Sequence, residues 1–246
     1  MILSAAMRPG VADLREFYGS GLGQTARRFI GRRIREAWPN LRGMSVLGLG
    51  YATPYLRPFL DEATRLVAVM PGAQGVHRWP RNEGDRNRAV LAQETTLPVP
   101  DQSMERVLLV HSLENSEVVR PMLREVWRVL TAEGRVILVV PNRRGIWARL
   151  EHTPFGHGHP FTPPQIARLL VENLFTPVSV EGCLYTPPLR SRFILRSAPA
   201  FEKLGARGIG VGGVLIAEAS KQMYAMVRPA LGVQRAVVTA PSVDGT

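Results

Sequence analysis

Short apolar runs without polar alternation set the strongest limit on how this chain can fold. They are Met44–Gly50, Leu66–Met70, Arg106–His111 and Arg135–Val140. Continuous apolar character is typical of strands that are buried on both faces of a parallel sheet. Segments with helical spacing of apolar residues separate these runs. The pattern predicts an α/β fold with a mainly parallel, doubly wound sheet and right-handed crossovers.

The remaining segments predict how this sheet is extended and flanked. In residues 24–38, Phe29, Ile30 and Ile34 share one face of a predicted helix. Further helices are predicted over 53–63, 116–130, 164–173 and 189–205, and edge strands near 89–93, 177–184 and 211–219. We expect a helical lid over residues 1–40, an α/β domain over 41–222, and a mobile tail over 223–246.

The charge of the chain is basic and is carried almost wholly by arginine. Lysines and arginines number 31 against 20 acidic residues, which gives a net charge of +11, and the lysines are Lys203 and Lys221. Arginine pairs well with phosphate, so nucleic-acid contact is one interpretation. The basic residues are scattered and no aromatic stacking platform is evident, so a compositional bias toward arginine is favoured.

The cysteine content and the hydropathy of the sequence indicate the cellular compartment of the protein and its relation to membranes. Cys183 is the single cysteine, which excludes an internal disulfide and a cysteine-based metal cluster. No stretch approaches the ~20 apolar residues of a membrane span, and the first residues lack the pattern of a signal peptide. We expect a cytoplasmic protein that does not associate with a membrane.

A glycine-containing turn follows the first predicted strand, in the sequence VLGLGYATPYL from Val46 to Leu56. Thr53 is a predicted helix cap, and Pro54 suits the first helical turn. A helix that starts beyond the carboxyl end of a parallel strand presents free N–H groups to an anion. The turn is therefore either a cofactor loop or a tight turn that needs glycine only for packing.

A longer motif indicates a family. The stretch LPVPDQSMERVLLVHSLEN, followed by LREVWRVLTAEGRVILVVPNRRG, resembles the type 11 group of class I S-adenosylmethionine-dependent methyltransferases. The resemblance covers about residues 44–180 and implies a Rossmann-like fold, with a mainly parallel seven-stranded sheet whose last strand is antiparallel. The matching residues are Leu97, Pro98, Pro100, Asp101, Glu105, Leu113, Glu114, Arg124, Glu125, Arg128, Val129, Leu130 and Gly134.

The resemblance also implies S-adenosylmethionine as cofactor, bound beyond the strand ends. The implied contacts are Gly48, Leu49, Gly50, Tyr51, Ala52, Met70, Glu94, His111, Ser112 and Leu113. As alternatives, Glu94 is a solvated loop charge, and His111 and Ser112 are ordinary strand-end residues.

The chain departs from the family at the cofactor loop and at the end of the second strand. Gly48 stands at the usual acidic position, while Ala52 and Pro54 replace the second and third glycines. Met70 stands where the family has a carboxylate that accepts the ribose hydroxyls. Losing a hydrogen bond of roughly 1.5–3 kcal/mol weakens binding by about tenfold to a hundredfold. Binding of S-adenosylmethionine is therefore predicted to be weak or lost.

Two groups of polar residues follow the last of the four apolar runs, Arg135–Val140. His152, His157 and His159 stand close together, but acidic residues are few nearby, and a surface loop without a metal is favoured. One of these histidines is a candidate general base. Arg143 and Arg144 either hold an acidic substrate or are solvated charges. Methyl transfer depends mainly on alignment, so no catalytic residue is assigned.

Two functions remain open at this point. The first is an S-adenosylmethionine-dependent methyltransferase with weak cofactor binding and a small-molecule or protein acceptor. The second is a non-catalytic subunit of an enzyme complex that keeps only the methyltransferase fold. Relatives of this kind are expected beside a hydroxyacylglutathione hydrolase, which implies that hydrolase as a partner. Nucleic-acid binding is a weaker third interpretation.

Overall fold

A computed structural model describes residues 8–80 and 84–223, and within them one sheet has seven strands in the order β3-β2-β1-β4-β5-β7-β6. The strands are β1 (Ser45–Gly50), β2 (Arg65–Pro71), β3 (Ala89–Ala92), β4 (Met104–Val110), β5 (Leu130–Pro141), β6 (Phe175–Cys183) and β7 (Val214–Lys221). The helices are α1 (Val11–Gly19), α2 (Gly21–Ala37), α3 (Thr53–Leu56), α4 (Val119–Val129), α5 (Pro163–Glu172) and α6 (Arg192–Ala206). The predicted tail lies, apart from Met223, outside the described residues.

The pairing of the strands confirms the predicted fold class. Strand β1 runs parallel to β2 on one side and to β4 on the other, with Val46 opposite Leu66 and Arg106. Strand β7 is antiparallel to both β5 and β6. The sheet is therefore mainly parallel with an antiparallel last strand, as the resemblance implies.

Helices cover both faces of the sheet, which explains why the central strands are apolar throughout. Val46 of β1 packs in one buried cluster with side chains of α1 and α2. Its neighbours Leu47 and Leu49 pack in a second cluster with side chains of α4 and α5. Successive side chains of a strand point to opposite faces, so each face of β1 contributes to its own core.

The structure differs from the predicted helices at three places. The helix predicted over 53–63 ends at Leu56 and continues as a 3₁₀ turn over Arg57–Phe59. Pro58 accounts for this, because it has no N–H to donate and its ring clashes within an α-helix. The N-cap of α3 is Ala52, not Thr53, and that of α4 is Val118, not Ser116. Helix α1 precedes the helix predicted over residues 24–38, and the sequence pattern did not predict it.

No helix among the described residues is long and apolar enough to cross a membrane.

Candidate cofactor site at the carboxyl ends of β1, β2 and β4

The glycine-containing turn after β1 is packed against the protein itself. Gly50 has φ of +85°, and a Cβ placed on it would lie 2.3 Å from the carbonyl oxygen of Val110. A Cβ on Gly48 would lie 2.5 Å from Cδ1 of Leu56. The N–H of Tyr51 donates to the carbonyl of Val110 at 2.8 Å. Both glycines are thus required by close packing with neighbouring strands and helices, which matches the tight-turn alternative.

The fold brings most of the residues expected to contact the cofactor to one edge of the sheet. Strands β1, β2 and β4 are neighbours, so Gly50, Met70 and His111 lie at or just beyond adjacent carboxyl ends. Every residue of the predicted set is nevertheless buried, from His111 at 0% exposure to Glu94 at 9%. These side chains contact protein in this conformation.

Tyr18 of α1 covers the predicted site. Its phenol oxygen is hydrogen-bonded to Nε2 of His111 and to the phenol oxygen of Tyr55, each at 2.9 Å. Its ring stacks on Tyr51, with 5.6 Å between centroids and 17° between planes. Burial, followed by the nearby Tyr55, raises the pKa of Tyr18 well above its ordinary value, so this hydroxyl keeps its proton at neutral pH.

The backbone of α1 is tied to the same edge. The N–H of Val11 donates to the carbonyl of Gln74 at 2.8 Å, and Nε2 of Gln74 donates to the carbonyl of His111 at 3.3 Å. Sequence reasoning missed Tyr18, Tyr55 and Gln74 as parts of the site. The spacing of Leu14, Phe17 and Tyr18 is a helical signal that would have indicated α1.

Glu94 is neither solvated nor available to a ligand. Its Oε2 accepts from Nη2 of Arg8 at 3.2 Å, and its Oε1 accepts a hydrogen bond from the hydroxyl of Ser116. The side chains of Arg8 and Glu94 are 14% and 11% exposed. Arg8 and Ser116 thus take both carboxylate oxygens that the resemblance assigns to the cofactor.

Met70 is a core side chain. It is 0% exposed and belongs to the buried cluster that contains Tyr51, Tyr55 and Trp79. The members of that cluster are apolar and aromatic side chains. A carboxylate at this position would be buried without a partner, which is costly.

A buried imidazole and a buried carboxylate follow β4. Nδ1 of His111 lies 3.3 Å from Oε1 of Glu114, and both side chains are 0% exposed. Neither carboxylate oxygen of Glu114 has a well-aligned hydrogen bond among the described residues. The backbone of His111 is left-handed, with φ of 50°. The contacts run from Glu114 through His111 and Tyr18 to Tyr55, and so join β4, α1 and α3.

The motif that carries the resemblance forms a structural clamp. The guanidinium of Arg128 donates to the carboxylates of Glu125 and Asp101 and to the carbonyls of Leu97 and Val99. The hydrogen bond from Arg128 is the main cause that lowers the pKa of Glu125. These residues hold the loop before β4 against α4, at a distance from the strand ends.

The polar residues after β5 also make internal contacts. His152 and His157 are hydrogen-bonded through Nε2 to the carbonyls of Pro188 and Glu151, at 2.9 and 2.8 Å. The backbone N–H of His159 donates to the carbonyl of Glu114 at 2.7 Å. Arg143 donates to the carbonyl of Pro160. Over residues 8–80 and 84–223, no group of three His, Cys, Asp or Glu could hold a metal ion.

Two cavities flank the predicted site. One has a volume of about 310 Å³ and is lined by Arg15, Tyr18, Gly19, Arg27, Tyr51, Thr53, Pro54, Arg57, Leu60, His77, Trp79 and Pro80. The other, of about 640 Å³, lies between α4, α5 and the segment after β5. Of the predicted cofactor contacts, Tyr51 lines the first cavity and Leu113 the second.

Comparison with known proteins shows a similarity to methyltransferases. Residues 46–138 match the sequence model of a methyltransferase domain, and curated proteins gave no match. A SAM-dependent methyltransferase from Archaeoglobus fulgidus superposes with a TM-score of 0.55 at 17% identity, over 79% of this chain and 94% of the other.

Two further structures superpose comparably. The 1,6-didemethyltoxoflavin-N1-methyltransferase of Burkholderia thailandensis, solved with 1,6-didemethyltoxoflavin and S-adenosylhomocysteine, gives a TM-score of 0.52 at 18% identity, covering 78% and 76% of the two chains. The complex of the Haloferax volcanii Trm112 methyltransferase activator with a putative methyltransferase gives 0.55 at 13% identity, covering 76% and 86%.

The strand order and these superpositions define the Rossmann-like fold of class I methyltransferases. The match over residues 46–138 supports a class I S-adenosylmethionine-dependent methyltransferase whose cofactor motifs depart from the usual pattern.

Proposed function

We propose that the chain is an S-adenosylmethionine-dependent methyltransferase with weak cofactor binding, acting on an unidentified small-molecule or protein acceptor. The observation that carries the proposal is the convergence of Gly50, Met70 and His111 at adjacent strand ends in a chain that matches a methyltransferase domain. Ligands of open parallel sheets bind at such an edge. The bound cofactor would supply an activated methyl group, and the protein would align the acceptor with it.

The residues at this edge fit the cofactor only in part. Glu94 supplies a carboxylate, but Arg8 and Ser116 occupy it. Met70 supplies no acceptor for ribose, and Tyr18 covers His111. Binding therefore requires α1 and the residues before it to move away. Only molecules in which this edge is uncovered can bind the cofactor, so the apparent affinity is reduced in proportion to their fraction. This supports the expectation of weak binding.

Calorimetric titration of the full chain with S-adenosylmethionine and S-adenosylhomocysteine tests this proposal. Arg8→Gln removes the ion pair that holds the N-terminal segment on Glu94, and should tighten binding severalfold by exposing the site. Arg28→Gln is the matched control, because Arg28 is an exposed arginine of α2 with no ion pair among the described residues. If no variant binds either ligand at millimolar concentration while all remain folded, the proposal fails.

A second function is favoured by a specific observation, the burial of the whole predicted cofactor set under Tyr18 and Arg8. On this proposal the chain is a non-catalytic subunit, and its partner is the hydroxyacylglutathione hydrolase that the resemblance implies. Phe193 at the start of α6 is 79% exposed, and this proposal assigns it to the docking surface. Co-elution of the two proteins, lost in Phe193→Ser and kept in Arg28→Gln, would support it; separate elution at micromolar concentrations would contradict it.

A cytoplasmic location forms part of both proposals. Cys183, the single cysteine of the sequence, is buried and not in a disulfide. Burial raises the pKa of its thiol, so that it stays protonated at neutral pH. A chain of this kind needs no oxidising compartment in order to fold.

A further inference from the structure

The cavity of about 310 Å³ described above is enclosed by four segments of the chain. Arg15 and Tyr18 come from α1 and Arg27 from α2, while Thr53 and Arg57 belong to the turns that follow β1. Trp79 and Pro80 come from the segment after β2. We call this the arginine cavity. Of the predicted cofactor contacts only Tyr51 lines it, so it is a separate concavity beside the strand ends.

The arginine cavity collects positive charge. Arg15, Arg27 and Arg57 are exposed, and none of them forms an ion pair or a hydrogen bond among the described residues. Among the described residues of the lining there is no Asp or Glu. Elsewhere on the same elements arginines are paired, as Arg32 is with Glu36 and Arg35 with Glu62. Like charges gathered at one concavity repel each other and raise the local positive potential, which attracts anions.

The chemistry of these arginines favours a phosphate group. Arg15, Arg27 and Arg57 come from three different elements and line the same cavity. Guanidinium groups donate in a planar fork that matches phosphate oxygens bidentately. The hydroxyl of Thr53, a side chain that is 3% exposed, is a further donor in the lining.

The walls of the arginine cavity suit the organic part of such a ligand. Tyr18, Tyr51 and Trp79 contribute aromatic surface, and Pro54 and Leu60 contribute aliphatic surface. Ligand cavities typically combine apolar walls with a few charged groups, and this volume lies near the lower end of their range of about 300–1,000 Å³. Enclosure on several sides suits a small molecule better than a nucleic-acid strand, which needs an open groove.

We propose that the arginine cavity is a binding site for a small organic phosphate, such as a nucleoside phosphate. The proposal does not rest on methyl transfer, because apart from Tyr51 the lining lies outside the predicted cofactor set. It also gives a specific role to some of the arginines whose excess, judged from composition alone, was attributed to a compositional bias.

Calorimetric titration of the full chain at physiological salt tests the site with inorganic phosphate, AMP and ADP, with uncharged adenosine as the comparison. We expect saturable binding of ADP, weaker binding of inorganic phosphate, and none of adenosine. Arg27→Gln and Arg57→Gln should each weaken ADP binding about tenfold, the effect of losing one charge-assisted hydrogen bond. Arg28→Gln removes the same charge from the neighbouring position of α2, outside the cavity, and should change the affinity less than twofold.

Three outcomes would overturn the proposal. The first is absence of saturable binding of every phosphate at millimolar concentration. The second is an equal loss of affinity in Arg27→Gln and Arg28→Gln, which would indicate general attraction by the basic surface. The third is tight binding of a single-stranded RNA with no saturable binding of ADP, which would indicate a polyanion surface. Because the substituted side chains are exposed, circular dichroism should show that all variants fold.

Discussion

The phenol oxygen of Tyr18 lies 2.9 Å from Nε2 of His111, although 93 positions separate the two residues. The same phenol oxygen lies 2.9 Å from that of Tyr55. One hydroxyl therefore connects α1, α3 and the end of β4. Because His111 lies at the carboxyl end of β4, the packing of α1 and access to the strand ends depend on the same contacts.

The first prediction concerns this hydroxyl. Tyr18→Phe removes one partner of both His111 and Tyr55 while keeping the ring that stacks on Tyr51. Leaving buried polar groups without partners costs about 1–3 kcal/mol, so the free energy of unfolding should fall by that amount. Urea denaturation measures it. Tyr185→Phe is the control, because the hydroxyl of Tyr185 makes no hydrogen bond among the described residues, and it should change little. Equal stability of Tyr18→Phe and wild type would contradict the contact.

The second prediction concerns the clamp before β4. Arg128→Lys keeps the charge but loses the planar fork that reaches Glu125, Asp101 and two carbonyl groups. Because lysine donates from a single point, the substitution should cost about 1–3 kcal/mol of unfolding free energy. Arg124→Lys on the same helix is the control, since Arg124 is exposed and has no ion pair among the described residues. Thermal melts of both variants that overlap would exclude a structural role for the fork.

The central strands could be predicted from the sequence because their signal is local. Leu66–Met70 and Arg106–His111 are apolar without alternation, and both fall within or beside the observed strands β2 and β4. The early end of helix α3 could also be predicted from the sequence, because Pro58 lies within the segment that has helical spacing. Helix α1 was missed although Leu14, Phe17 and Tyr18 have helical spacing, because a helix of 9 residues gives only a short signal.

The state of the site could not be predicted from the sequence, because it depends on distant parts of the chain. The turn after β1 and the residue Met70 were recognised as departures from the family pattern. Nothing near Glu94 indicates that Arg8 pairs with it, and nothing near His111 indicates Tyr18. Which side chain fills a concavity is decided by tertiary packing, whereas strand and helix patterns depend on near neighbours in the sequence.

The third prediction tests the position where the family has its ribose carboxylate. Met70→Asp would place a charge at a position that is 0% exposed and surrounded by apolar and aromatic side chains. The melting temperature should fall strongly, because an unpaired buried carboxylate is costly and the methionine packing is lost. Met70→Leu, which keeps the volume, should cost less than about 1.5 kcal/mol. A stable Met70→Asp variant with tighter S-adenosylmethionine binding would show instead that this position faces a working cofactor cleft.

The last prediction concerns pH and the carboxylate of Glu202 on α6. Its Oε1 accepts a hydrogen bond from the backbone N–H of Tyr185 at 2.8 Å. Burial raises the pKa of this carboxyl group above its ordinary value of 4.5, and it outweighs the opposite effect of the hydrogen bonds that the carboxylate accepts. The folded state therefore holds the proton more tightly than the unfolded state does. The stabilisation is complete below pH 4.5 and is lost as pH rises through the folded-state pKa, with a slope no steeper than about 1.4 kcal/mol per pH unit.

Glu202→Gln keeps an oxygen acceptor but cannot titrate, so its unfolding free energy should decline less than that of wild type over this interval. Glu133→Gln, at an exposed position without an ion pair among the described residues, should follow wild type. Urea denaturation across this pH range gives the comparison, and parallel curves for Glu202→Gln and wild type would contradict the assignment.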